Sequence, residues 1–159
     1  MFREQRRKNK EINIEEIHAL LTNERRGVLS VIGDDNYPYG VPINFIYDEI
    51  TNRIYFHGSK VGHKIDSIKR NNNVCFTVYG NEMIKEKEEW APYIQSVIIF
   101  GKCKIIENED EIIKQVRKFA LKYYPNENLV EQEITKSINA LQMFEIEIEH
   151  ISGKQVQEK

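Results

Sequence analysis

Three strand-like segments follow one another early in this chain, with only short turns between them. Residues 28–32, 38–47 and 53–57 are rich in β-branched and aromatic residues, and turn-forming residues separate them at 33–36 and 51–52. Short turns join antiparallel strands, whereas parallel strands need a crossover of about a dozen residues or more. This succession argues against a doubly wound α/β fold, which alternates strands with helices throughout.

Helices are expected around these strands. Asn13 and Glu16 match a capping box at the start of the first helix. A short second helix follows the third strand and carries Val61, Ile65 and Ile68 on one face. A third helix is expected after residue 108, and a further helical segment lies near residues 130–138.

Three more strands complete a mostly antiparallel set of about six. They are expected at residues 74–79, at residues 93–107 with a kink at Gly101, and at residues 144–149, where apolar and acidic residues alternate. A mostly antiparallel six-stranded set with peripheral helices predicts an α+β barrel. We expect one domain that spans residues 1–159.

Composition limits the classes of function. Apolar residues make up 40% of the chain and the net charge is −2, so a core can form and no overall positive field attracts nucleic acid. Residues 1–12 are basic and are expected to form a solvated arm, the alternative being contact with an anion or another subunit. The absence of a long apolar run and of a signal-peptide pattern predicts a cytoplasmic protein without membrane contact. The two cysteines and four histidines lack metal-ligand spacing, so no metal site is expected.

Cations cluster where the second helix is expected to begin. Lys60, His63 and Lys64 fall in its first turn, where a helix N-terminus disfavours each cation by roughly 0.3–1 kcal/mol. The first and third helices begin with acidic residues instead. A bound anion would explain the exception, because free backbone N–H groups, the Ser59 hydroxyl and Lys64 together make a phosphate cradle. The alternative is that these long side chains simply extend into solvent.

The second strand is interrupted by Gly40 and Pro42, which mark an edge or a bulge. Such a strand exposes unpaired backbone groups, while Val41 and Ile43 offer a flat apolar surface. A planar heteroaromatic ring needs apolar packing on its face and hydrogen bonds along its edge. The alternative is an ordinary bulged edge strand without a ligand.

Six motifs occur in this order along nearly the whole chain. They are MFREQRRK (1–8), GDDNYPYGVPIN (33–44), IYFHGS (54–59), GHKID (62–66), SVIIFG (96–101) and IEHISGK (148–154). As a set, they resemble the nitroimidazole-resistance flavoproteins, a branch of the pyridoxamine 5′-phosphate oxidase-like superfamily that binds flavin mononucleotide (FMN). The resemblance implies a split β-barrel that forms a homodimer with FMN at the subunit interface.

The resemblance also implies a set of cofactor-binding residues. They are Val41, Pro42, Ile43 and Asn44 for the flavin ring, Tyr55, Phe56 and His57 for the ribityl chain, Ser59, His63 and Lys64 for the phosphate, and Gln95 and Ser96 from the other subunit. Residues 81–92 are expected to form a mobile loop near the site. His57 has two interpretations, a catalytic proton donor to the substrate or a residue that hydrogen-bonds FMN, and we favour the second.

The resemblance implies an FMN-dependent reductase that passes electrons, with NADH or NADPH as a possible donor, to a nitro compound or a similar small acceptor. Two alternatives stay open, a non-catalytic FMN carrier or sensor and a haem-binding split-barrel relative with His150 as axial ligand. His150 is expected on the same strand face as Phe144 and Ile148. Vitamin B6 oxidation is not expected, because no arginine follows Arg117 to match the phosphate-gripping segment of those oxidases.

Overall fold

A seven-stranded antiparallel sheet is the framework of the protein in the computed structural model, which describes residues 2–87, 90–124, 126–138 and 140–157. The strands are β1 (Arg26–Ile32), β2 (Pro38–Asn44), β3 (Ile46–Asp48), β4 (Arg53–Ser59), β5 (Asn73–Met83), β6 (Tyr93–Ile105) and β7 (Leu141–Gln157). The helices are α1 (Ile14–Asn23), α2 (His63–Arg70), α3 (Glu109–Tyr123) and α4 (Glu127–Ser137). Among the described residues, none of these helices has the length and apolarity needed to span a membrane.

The strand order is β2-β1-β5-β6-β7-β4-β3, and each neighbouring pair runs antiparallel. The sheet curls until β2, at one end, contacts β4 near the other end. A curled antiparallel sheet with a few peripheral helices confirms the predicted α+β split barrel. The described residues contain seven strands rather than six, because the segment 38–47 forms two strands.

That segment divides at Phe45, between β2 and β3, which lie at opposite ends of the sheet. The Phe45 side chain is fully buried and its ring meets Phe76 edge-on, with centroids 5.1 Å apart. Its backbone N–H donates to the hydroxyl of Tyr123 at 3.0 Å, and its carbonyl accepts from Lys122 Nζ at 3.3 Å. Side chains of α3 thus hydrogen-bond the Phe45 backbone, which has no strand partner where the chain passes from one end of the sheet to the other.

Strand β4 separates two apolar clusters. Its inward residue Phe56 stacks on Phe144 with centroids 4.9 Å apart, inside the main core formed by the sheet and α1. Its outward residue Tyr55 packs with Val116 and Phe119 of α3 in a second, smaller cluster. Because side chains alternate along a strand, one short strand borders both clusters.

A β-bulge interrupts the pairing of β6 with β7, at Phe100 and Gly101. A side chain on Gly101 would place its Cβ 2.2 Å from the carbonyl oxygen of Glu147, so this position requires glycine. The extra residue in β7 reverses the alternation beyond it. The prediction that His150 shares a strand face with Ile148 is therefore wrong. Ile148 points inward, whereas His150 pairs with Phe100 on the outward face.

Helix α2 begins at His63, later than predicted. Ile65 and Ile68 are buried in the main core, as the helical spacing indicates. Val61 precedes the helix and is 75% exposed, so its predicted place on the buried face is wrong. Lys60 also precedes the helix, which leaves His63 and Lys64 as the cations of the first turn.

The arm and the loop predicted at residues 1–12 and 81–92 are partly structured. Phe2 of the arm stacks on Phe100 and His150, and Glu11 forms a β-bridge with Lys154. Residues 81–83 continue strand β5 past an irregular register, so they do not belong to a loop. Residues 88 and 89 lie outside the described residues, and the mobility of the loop stays a prediction.

Candidate functional site

Two open backbone edges approach each other where the sheet curls. In the part of the chain that the structure describes, strand β2 pairs only with β1, and β3 covers β4 only over Arg53, Ile54 and Tyr55. Residues 56–59 therefore pair with β7 on one side, and no described strand pairs with them on the other. Among the described residues no strand pairing joins β2 to β4. We call the gap between these two edges the split.

The predicted ring-binding residues lie along one side of the split. In β2, Val41 and Ile43 point inward and belong to the main core, whereas Pro42 is exposed and Asn44 is half-buried. Val41 and Ile43 thus pack in the core and do not form the exposed apolar surface that the sequence predicts. The backbone of the strand, with Pro42 and Asn44, is what this side offers to a ligand.

On the other side of the split, the backbone of β4 is available while most of its side chains are not. Tyr55 and Phe56 are almost fully buried, on opposite faces of the strand. His57 lies on the same face as Tyr55, and its ring meets Phe119 edge-on with centroids 4.7 Å apart. Burial, together with the nearby charge of Lys64, lowers the pKa of His57, so the imidazole is neutral at pH 7.

Helix α2 joins the two sides of the split at one end. The His63 ring stacks on Tyr39 of β2 with centroids 4.3 Å apart, and its Nε2 lies 3.6 Å from the Asp34 carboxylate. Asp34 also receives a hydrogen bond from Arg70 at 3.2 Å, at the far end of the same helix. These contacts tie α2 to the turn that precedes β2.

Lys64 lies on the β4 side of the same helix. Its Nζ is 5.4 Å from the centroid of the Phe56 ring and would lie 3.1 Å from a Cβ added to Gly58. Burial lowers the pKa of this lysine, and none of the described carboxylates lies within ion-pair distance of it. A half-buried cation in this position is unfavourable until an anion approaches.

The other phosphate-binding candidate, Ser59, ends β4 beside this lysine. Its Oγ accepts a hydrogen bond from the Val61 N–H at 3.3 Å, which leaves the hydroxyl proton free to be donated. Gly62, with φ of 125°, precedes α2, and no side chain caps the helix. Ser59 thus ends the strand before a helix that has no side-chain cap, and His63 and Lys64 lie in the first turn of that helix. That these three residues bind a phosphate stays a prediction. This arrangement fits a phosphate group.

Gln95 and Ser96, predicted to reach the cofactor of another subunit, point to opposite faces of β6. Gln95 is buried, donates to the Glu16 carboxylate at 3.1 Å and accepts from Asn81 at 2.8 Å. Ser96 is half-buried on the outward face, opposite the exposed Tyr79 of β5. A contact of Gln95 with a second subunit stays a prediction, since its amide already has partners within its own chain.

Two features of the site have no local signal in the sequence. Asp34 and Tyr39 hold α2 in place, but a turn carboxylate and a strand tyrosine carry no local signal for that role. The cavity beneath His57 was also missed, because it forms only when α3 and α4 pack against the outward face of β4.

Comparison with known proteins identifies the family. A family model described as pyridoxamine 5′-phosphate oxidase matches residues 13–155. The chain belongs to this family. The superfamily that the motifs indicate is thereby confirmed, and the match spans every strand of the sheet except the last two residues of β7. No curated protein matches the chain.

Solved structures share the fold of this family member at low sequence identity. A candidate 5-nitroimidazole antibiotic resistance protein from Bacteroides thetaiotaomicron superposes with a TM-score of 0.76 at 20% identity, covering 91% of this chain and 85% of its own. A FAD- and haem-binding protein from Mycobacterium smegmatis gives 0.72 at 17% identity, with coverages of 92% and 72%. A FAD-binding protein from Mesorhizobium loti gives 0.64 at 20%, with coverages of 92% and 97%.

Proposed function

We propose that this protein binds FMN in the split and, as a homodimer, reduces nitroaromatic or related small electron acceptors. The observation that carries the proposal is Lys64, a half-buried cation without an anionic partner among the described residues, at the closed end of the split. Family membership supports a flavin, and the structural relatives from Mesorhizobium loti and Mycobacterium smegmatis are described as FAD-binding.

The residues of the split fit the two ends of FMN. Ser59, His63 and Lys64 can hold its phosphate, and the open edges of β2 and β4 can hydrogen-bond the polar edge of its ring. When bound, FMN supplies the electron-transfer chemistry, which amino-acid side chains cannot provide. The chain's own contribution is to bind and orient the cofactor.

His57 retains both roles that the sequence suggests. Its neutral ring carries one proton, which can be donated in a hydrogen bond either to a ribityl oxygen or to an acceptor molecule. Its position, on the outward face of β4 beside a cavity, supports contact with the acceptor. In either role, the ring orientation is set by its packing on Phe119.

The outward face of the sheet supports the homodimer. Tyr79 and Phe100 are 61% and 38% exposed there, and Ile98 lies between them on the same face. Large apolar side chains exposed on one sheet face are typical of a surface that another chain covers. Ser96 shares this face and is the residue that we expect to contact the partner's cofactor.

The test is flavin retention. Purified protein is mixed with FMN or FAD and desalted, and its absorption near ~450 nm is recorded for the wild type, Lys64→Ala and the control Lys69→Ala. Lys69 is an exposed lysine on the same helix, so its loss matches the change in charge. Loss of a charge-assisted hydrogen bond of about 1.5–3 kcal/mol predicts roughly ten- to hundred-fold weaker FMN binding for Lys64→Ala alone. Equal binding by all three proteins would contradict the proposed cradle.

Three further measurements separate the remaining alternatives. NADH or NADPH oxidation coupled to loss of a nitro compound, measured without oxygen, supports the reductase. Tight FMN binding without turnover with either donor indicates a carrier or sensor instead.

A Soret band after haem addition, with no flavin retained, would contradict the FMN proposal. Sedimentation equilibrium at micromolar concentration tests the homodimer, and a monomeric mass would contradict it.

A further inference from the structure

A cavity lies on the outward side of β4, between that strand, β7 and the helices α3 and α4. Its volume is about 140 Å³. Its walls are apolar and include Val116, Phe119 and Ala120 of α3 with Leu141 and Met143 of β7. Ile134 of α4 and Ile138, which follows that helix, close it further. Among the described residues that line it, His57 is the one titratable group apart from a tyrosine.

The size and walls of this cavity select its occupant. An engineered apolar cavity of about 150 Å³ in another protein binds benzene. The cavity beside His57 is partly open to solvent, and its 140 Å³ accommodates one aromatic ring. Water is disfavoured because it needs two to four polar partners, and the walls offer few. A charged ligand is disfavoured too, since none of the described lining residues besides His57 has an acidic or basic side chain to pair with it, apart from the tyrosine hydroxyl.

Aromatic side chains at the cavity wall already pack in the edge-on and stacked geometries that a bound aromatic ring would adopt. Phe119 receives the His57 ring edge-on and stacks on Tyr123 with centroids 4.8 Å apart. Aromatic rings prefer such edge-to-face and offset contacts, so a ligand ring extends an existing cluster rather than disturbing one. Among the described residues no hydrogen bond engages the ring nitrogens of His57, which leaves its proton available to a ligand.

We propose that this cavity is a binding site for a single uncharged aromatic ring that carries a hydrogen-bond acceptor, which His57 contacts from the cavity wall. Binding of such a ring follows from the cavity alone. That the bound ring is the electron acceptor rests on the function proposed above. The two sites are neighbours, because His57 belongs to the strand whose open edge borders the split. Nitro and carbonyl oxygens are acceptors of the required kind.

The test compares three probes of nearly equal shape. Nitrobenzene is neutral with an acceptor, toluene is neutral without one, and benzoate has the shape of nitrobenzene with a negative charge. Binding to the full chain is measured by titration calorimetry and by amide chemical shifts, with and without FMN. We expect nitrobenzene to bind more tightly than toluene, and benzoate at least about ten-fold more weakly than nitrobenzene, corresponding to about 1.4 kcal/mol.

Two variants locate the site. Ala120→Leu fills the cavity and should weaken nitrobenzene binding at least about ten-fold, while Ala19→Leu, an identical change at an exposed position of α1, should leave it unchanged. His57→Phe keeps a ring but removes the donor, so it should abolish the preference for nitrobenzene over toluene. If Ala120→Leu fails to melt cooperatively, the smaller Val116→Ile replaces it.

The outcomes for the two proposals are distinct. Absence of saturable nitrobenzene binding to the wild type, or equal binding by the cavity-filled variant, would overturn the cavity site even if FMN is retained. Saturable nitrobenzene binding that Ala120→Leu removes, in a protein that retains no flavin, would support the cavity site and contradict the proposed function. Tighter binding of benzoate than of nitrobenzene would show that the ligand class is wrong.

Discussion

The joint at Phe45, where β2 ends and β3 begins, depends on one hydroxyl group. Tyr123 accepts the Phe45 N–H at 3.0 Å, and its single proton can be donated to the carbonyl of Phe45 at 2.9 Å or to that of Arg25. Both strands that leave this joint border the candidate site, β2 directly and β3 through its pairing with β4. The substitution Tyr123→Phe removes the hydroxyl and keeps the ring.

The expected cost follows from what the substitution leaves unpaired. Phe45 is fully buried, so its N–H would have no partner, which costs about 1–3 kcal/mol. Its carbonyl keeps the hydrogen bond from Lys122 at 3.3 Å and contributes little to the loss. We therefore expect the free energy of unfolding to fall by about 2 kcal/mol. For a chain of this length, that lowers Tm by roughly 4–8 °C.

The assay is urea unfolding followed by circular dichroism, at one pH and protein concentration. Tyr124→Phe is the matched control, because Tyr124 is the next residue and is 40% exposed. The control should stay within about 0.5 kcal/mol of the wild type, as surface substitutions usually do. If Tyr123→Phe also stays within that range, the hydroxyl does not hold the joint and our account of the strand break is wrong.

Three other predictions concern the bulge, the first helix and the cradle. Gly101→Ala should lower the free energy of unfolding by about 1–3 kcal/mol, because the new Cβ meets a carbonyl at 2.2 Å, whereas Gly40→Ala, with 3.5 Å of room, should cost much less in the same urea assay. Asn13→Ala removes the N-cap acceptor of Glu16 N–H, and its expected cost there is about 1 kcal/mol. FMN affinity should fall with rising pH before pH 10.5, because burial lowers the pKa of Lys64 and only its protonated form attracts phosphate. Lys64→Arg should flatten this profile below pH 10.5, and a wild-type profile equally flat would refute it.

Local chemistry made part of the fold predictable. The capping box at Asn13 and Glu16 is present with both hydrogen bonds, because all of its atoms lie within one helical turn. The cap at residue 108 and the inward alternation over residues 144–148 were predictable for the same reason. Each of these patterns needs no information about distant parts of the chain.

Features that depend on distant residues were not predictable in the same way. The strand break at Phe45 is set by Lys122 and Tyr123, almost eighty residues away, while the local sequence reads as one continuous strand. The outward orientation of His150 follows from a bulge opposite Gly101, and a bulge in one strand is visible only in its pairing with another.

In the candidate site, too, the features set by neighbouring residues were predictable and those set by distant residues were not. Ser59, His63 and Lys64 were predictable as a group because they are close in sequence, at one strand end and one helix start. The buried position of Gln95 was not, because its partners Glu16 and Asn81 come from other elements. The sequence therefore indicates a cluster of neighbouring residues better than it indicates contacts that come from elsewhere in the sheet.

The split has two unfavourable features, unpaired strand edges and a half-buried positive charge, and one kind of ligand can compensate both. Open strand edges present unpaired N–H and C=O groups, and such edges invite pairing with other chains. Lys64 adds a half-buried positive charge without a described anionic partner. A planar ligand with a polar edge would satisfy the strands, and an anionic end would neutralise the lysine. Neither a neutral ring nor a simple phosphate ion does both, whereas a flavin nucleotide combines a planar ring that has a polar edge with an anionic phosphate.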